Sequence, residues 1–122
     1  MKILLLSFLA FFAFCKTVDA QTSISVDINK ASLEWVFNQG AGGVADKFNV
    51  KCGPSTGQYT KTTERPNTAR TIPIKDAITG IGSWFCTVSA ANTFGESPNS
   101  NEVSFTAGTV PVPPTNLTIK AQ

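Results

Sequence analysis

The sequence predicts an all-β domain, a seven-stranded antiparallel β-sandwich. It does so through three features: short runs of alternating apolar residues, turn formers about every eight to twelve residues, and no segment with a sustained helical period. The central strand is Ser83 to Asn92, SWFCTVSAAN. Trp84, Cys86, Val88 and Ala90 fall on one face of it and Phe85, Thr87, Ser89 and Ala91 on the other, because strand side chains alternate with a period of two. The first set is expected to face the core and the second to face outward.

The first twenty residues of the 122 do not belong to this fold. Lys2, the apolar run ILLLSFLAFFAF and the close Val18-Asp19-Ala20 read as a secretory signal peptide over 1–20, cut after Ala20. The alternative is an uncleaved or lipid-anchored N-terminus using Cys15, but Phe14 stands where that chemistry wants a small residue. About 100 residues remain, enough for one hydrophobic core and too few for two. The domain is expected over 21–107, with a proline-rich tail over 108–122. Losing Lys2, Lys16 and Asp19 leaves eight basic and seven acidic residues, a net charge of +1 without the clustered Lys and Arg of a nucleic-acid footprint. No further apolar run is long enough for a membrane span once the signal is removed. Cys15 leaves with the leader, so Cys52 and Cys86 remain. An even pair in an exported chain suggests a disulfide; the alternative is two reduced thiols packed in the core. The expected location is secreted, periplasmic or extracellular.

In chain order, Ile24, Val26 and Ile28, then Ala31, Leu33, Trp35 and Phe37, give two strands broken at Asn29-Lys30. NQGAGGVAD is a glycine-rich loop, with no Lys-Ser/Thr after it to make a phosphate cradle. Phe48, Val50 and Cys52 alternate with Lys47, Asn49 and Lys51 in a third strand. Gly53 to Gly57 turns the chain, and QYTKT is a short polar strand. In ARTIPIKDAI, Ile72 and Ile74 share a phase, and Pro73 between them belongs on a sheet edge. Ile78 to Gly82 forms a corner into the central strand. After the turn formers TFGESPNSN, Val103 and Phe105 resume the alternation. Pro111, Pro113 and Pro114 then hold an extended linker, with NLTIKA as one more possible strand.

These residues resemble a fibronectin type III domain over about Ser23 to Thr106. ASLEW looks like that family's second strand with its buried Trp, here Trp35. KFNVKCGPSTGQYT is similar to the third strand and its turn, and IKDAITGIGSWFCTVSAANTFGESPNSNEVSFT to the family's strongest signature. Ile78 stands where the family usually has Leu, and Trp84 where it has the corner Tyr. An indole N–H donates as a phenol does but cannot accept, so the corner hydrogen bond is expected to change partner. A true immunoglobulin order of Cys, Trp, Cys is not met, since this chain reads Trp35, Cys52, Cys86. The resemblance implies that Cys52 and Cys86 sit inward on neighbouring strands of one sheet. It also implies that the tail VPVPPTNLTIKAQ is similar to the opening of another such repeat. The layout looks, more weakly, like that of small phage and bacterial fibronectin type III proteins.

The chain has no histidine, so the commonest general base and metal ligand are missing. The acidic residues show no catalytic spacing and no calcium loop, and neither an enzyme nor a cofactor or metal is expected. Asn116-Leu117-Thr118 is a glycosylation acceptor if the pathway is eukaryotic and a chance sequon otherwise. Recognition is left, on two candidate surfaces. One is the outward face of the central sheet, with Lys47, Asn49 and Lys51 beside Phe85 and Thr87. The other is the end carrying the loops Gly40 to Asp46 and Thr93 to Asn101, with Phe94 and Glu96. The expected function is a secreted or surface-exposed module for protein binding or cell adhesion, meeting a protein or surface glycan. The family's Arg-Gly-Asp is absent, so integrin-type adhesion does not carry over. The alternative is a structural or decoration protein of a virion, such as a tailed phage, or of a surface assembly. There the tail Thr115 to Ala121 self-associates by β-augmentation.

Overall fold

A computed structural model describes residues 24–121. The signal peptide over 1–20, its cleavage and the Cys15 alternative lie outside the described residues. Among the described residues eight strands form two sheets: β1 (Ile24–Asp27), β2 (Ser32–Glu34), β3 (Lys47–Gly53), β4 (Lys61–Pro66), β5 (Thr71–Pro73), β6 (Gly82–Asn92), β7 (Gly95–Glu96) and β8 (Val103–Gly108). The larger sheet runs β1-β8-β6-β3-β4 with β7 paired to β6, and the smaller is β2-β5. The chain is therefore all-β, with four departures from expectation.

The eighth strand is β7, a two-residue pairing of Gly95 and Glu96 with Asn92 and Ala91 inside what reads in sequence as a plain turn. The sheet is not wholly antiparallel, because β1 runs parallel to β8 in the register Ile24 to Phe105 through Asp27 to Gly108. And Ile74–Ala77 makes one helical turn, α1, where the sequence suggested extended chain. Ile74 and Ala77 are buried three positions apart, the spacing of one helix face, and Lys61 Nζ donates to the carbonyl oxygens of Asp76 and Ile78 at the turn's end. The fourth strand also lies further along than QYTKT. It begins at Lys61 and carries through Arg65 to Pro66, paired antiparallel with Cys52 through Lys47.

Alternation builds the core as expected on β3, where Phe48, Val50 and Cys52 are buried between half-buried neighbours. Ile72 and Ile74 from β5 and α1, Trp84 and Cys86 from β6, and Phe105 and Ala107 from β8 complete one cluster, with Leu33 and Trp35 packed against it. Cys52 and Cys86 face each other in register with Cα atoms 4.1 Å apart and form a disulfide between adjacent strands. Beside this cluster Phe48 meets the rings of Trp35 at 5.6 Å and Phe37 at 5.2 Å, with the Arg70 guanidinium 5.0 Å over Phe48. Gly53 closes β3 because the chain returns on top of it: a Cβ there would lie 1.7 Å from the Gln58 carbonyl oxygen. The return is a tight turn with Gln58 N–H donating to Ser55 O at 3.0 Å and Gly57 at φ 75° in its third position, a conformation that suits glycine.

Candidate functional site

The outward face of the central sheet differs most from expectation. Thr87 and Ser89 are 2% and 3% exposed and Phe85 is half-buried; the segment after β7 bonds Thr87, and Glu96 of β7 itself accepts from Ser89. Thr87 Oγ1 donates to Ser100 O at 2.8 Å, while Ser100 and Ser97 N–H groups donate to Val88 and Ala90 carbonyls. Thr87 is thus removed from the open surface on which the sequence placed it, while Phe85 stays half-exposed there. The signal for this lay in the density of serine and asparagine over 97–101, short side chains that bond to nearby backbone.

Three of the expected surface residues, Asn49, Lys51 and Glu96, do come together, but largely with one another and with the returning segment, while Lys47 turns to β4. The Glu96 carboxylate accepts from Lys51 Nζ at 2.8 Å, from Asn49 Nδ2 at 3.1 Å and from the Ser89 hydroxyl. Lys51 also donates to Asn99 Oδ1, and Lys47 pairs with Glu64 of β4 at 2.7 Å. The Lys51 ammonium, then the Ser89 and Asn49 donors, lower the Glu96 pKa from its ordinary value to about 2. Glu96 is therefore an ionised clasp holding β7 to β3. A second clasp joins Tyr59 Oη to Glu102 Oε2 at 2.5 Å, with the Gly57 N–H on the same oxygen. The Tyr59 hydroxyl holds the Glu102 carboxyl below the usual carboxylate range and is itself pushed up by it.

What stays open is the loop end. A groove of about 420 Å³ runs between the 40–46 loop and the β6–β7 turn, lined by Phe37, Val44, Ala45, Ala90, Phe94 and Glu96 among others. Phe94 is 96% exposed and Val44 61%. Asn92 sets the spacing of the walls: its Nδ2 donates to Val44 O at 2.9 Å and its Oδ1 accepts from Phe94 N–H at 2.8 Å. In sequence Asn92 reads only as the residue that ends a strand; in the fold it ties both loops, with the Asp46 N–H on Ala91 O beside it. An Asn followed two residues later by a turn amide is the side-chain turn that could have marked it.

Among the described residues no three His, Cys, Asp or Glu side chains converge as a metal site requires. No helix of those residues is long and apolar enough to cross a membrane. No family model matches the chain, and no curated protein matches it.

Proposed function

We propose that this chain is an exported, non-catalytic binding module of the fibronectin type III kind that meets a protein or a surface glycan through its loop end. The observation that carries the reading is the groove under Phe94: an aromatic ring almost wholly in water, beside Val44, on loops fastened to a rigid strand by Asn92. Large exposed aromatics next to a shaped apolar groove are the anchors that binding surfaces use. The outward sheet face is the weaker candidate, since Lys51, Asn49 and Glu96 spend their polar groups on one another.

The family reading draws support from the strand order and from Trp84, which bonds back to the chain upstream from a position two residues before Cys86, as a corner tyrosine does. The non-catalytic reading rests on a chain without histidine and on two carboxylates, Glu96 and Glu102, already committed to structural clasps. The test is capture of partners from an envelope, cell-surface or particle fraction, alongside a glycan array, with the wild-type chain and with F94A/V44S. Loss of at least tenfold in binding at an unchanged melting temperature supports the site; equal binding by the variant excludes it.

A second reading, a structural component of a surface or virion assembly, is favoured by the tail. Val112, Leu117 and Ile119 are 85%, 99% and 95% exposed, and among the described residues the tail has no strand partner.

A further inference from the structure

The smaller sheet has an unfilled side. Trp35 N–H donates to Arg70 O and Ile74 N–H to Ala31 O, so the amide groups of Ala31, Leu33 and Trp35 point toward β5. By the alternation of a ladder, those of Ser32, Glu34 and Val36 point the other way, where no described strand pairs with them. The strand that precedes β2 in the chain, β1, does not fill this side but pairs with the edge of β8. Beneath the open edge lies an apolar trough of about 360 Å³ between Leu33, Trp35 and Val36 on one wall and Val88 and Val103 on the other. A smaller hollow of about 160 Å³ continues it along Trp35 and Val88. The indole Nε1 of Trp35, which lines both, is buried without a hydrogen-bond partner. Trough and edge together offer a place for one more extended strand, which none of the described residues occupies.

The tail has the complementary pattern. Leu117 and Ile119 share one face of an extended segment and Thr118 and Lys120 the other. Asn116, at φ 58°, bends the chain between this segment and the spacer that holds Pro111, Pro113 and Pro114. We propose that Leu117 to Ala121 of one copy adds as a strand to the Ser32–Val36 edge of a second copy. Leu117 and Ile119 enter the trough, and Lys120, on the other face of the added segment, lies by the exposed Glu34 at the trough's rim, whose charge is opposite. The trough sits beside Val103, whereas the tail leaves from Gly108 at the far end of β8. The prolines carry it away extended, which favours a neighbour's edge over its own. This rests on the assembly reading and is independent of the loop end.

Light scattering after size exclusion tests it on the full chain exported from an expressing cell. The wild type is expected to form dimers or longer chains with rising concentration. L117D/I119D, which removes the donor, and V36P, which places a residue without N–H on the acceptor edge, are each expected to be monomeric. Their equimolar mixture is expected to regain a one-to-one complex, because each supplies what the other lacks. All three positions are exposed, so the circular dichroism of the variants should match wild type. Should V36P fail to fold, E34K tests the same edge: association should weaken at least tenfold and return when the partner copy carries K120E. A wild type that is monomeric at its highest soluble concentration overturns both this inference and the assembly reading. Assembly that needs Leu117 and Ile119 but survives V36P, or E34K, leaves the assembly reading standing and overturns this acceptor.

Discussion

The indole of Trp84 donates from Nε1 to the carbonyl oxygen of Gly80, 2.8 Å away and four residues upstream. One side chain therefore fills the core, at 9% exposure, and fastens the corner by which α1 hands the chain to β6.

Replacing that indole with a ring lacking the donor separates the two roles. W84F keeps most of the apolar area, loses the bond to Gly80 and leaves a small void; a loss of about 2 kcal/mol is expected in urea unfolding. A midpoint unchanged from wild type would mean that the corner does not depend on this bond.

The Cys52–Cys86 bond spans a sequence separation of 34. Loop closure of that length predicts that C52A/C86A loses about 3–4 kcal/mol relative to the oxidised wild type. Unfolding curves of wild type with and without a reductant, set beside the double variant, measure it. Coincident curves would show that the cross-link constrains nothing the ladder does not already hold.

Acid should loosen the clasp on β7. The Glu96 pKa in the fold, about 2, lies below its ordinary value of 4.5, so the unfolded chain takes up the proton first. Its contribution is complete above about pH 4.5 and disappears as pH falls through about 2. E96Q should therefore be less stable than wild type at neutral pH, and the difference should shrink steadily over that window. A constant gap between the two from pH 6 to pH 2 would refute the ion pair with Lys51.

Space rather than bonding governs Gly53. A Cβ there collides with the Gln58 backbone, which cannot swing aside as a side-chain tip could. G53A is expected to cost at least about 1–3 kcal/mol in thermal or urea unfolding, the range for forcing atoms into filled space. Wild-type stability in G53A would require the 53–58 turn to sit further from β3 than it does.

Much of this fold could be read from residue order because burial follows a two-residue rhythm on β3 and on β6 as far as Cys86. Beyond Cys86 the phase inverts, with Thr87, Ser89 and Ala91 buried and the expected inward residues Val88 and Ala90 only half-buried. Phe48, Val50 and Cys52, and likewise Trp84 and Cys86, needed nothing more than that rhythm. The rhythm fails where polar residues are buried. Thr87 and Ser89 look like solvent-facing positions, yet Ser100 bonds the first and Glu96 of β7 accepts from the second, contacts that no apolar pattern announces. The parallel pairing of β1 was equally hidden, since Ile24 and Val26 alternate in the same way whichever neighbour they join. Of the candidate site, Phe94 and Glu96 were legible as loop residues, but their roles diverge: one stands free at the groove and the other is bound to Lys51. Asn92 escaped notice because its work is done by one amide reaching two loops that lie far apart in the chain.

The side-by-side run of β1 and β8 has a mechanical consequence. Tension applied through Ile24 at one end and Gly108 at the other pulls these two strands past each other lengthwise, since Ile24 stands opposite Phe105 and Asp27 opposite Gly108. The backbone bonds along that seam then share the load and must give way together, instead of unzipping one after another. A domain wired in this way resists stretching best along the line joining its own ends, as a link in a tether would need.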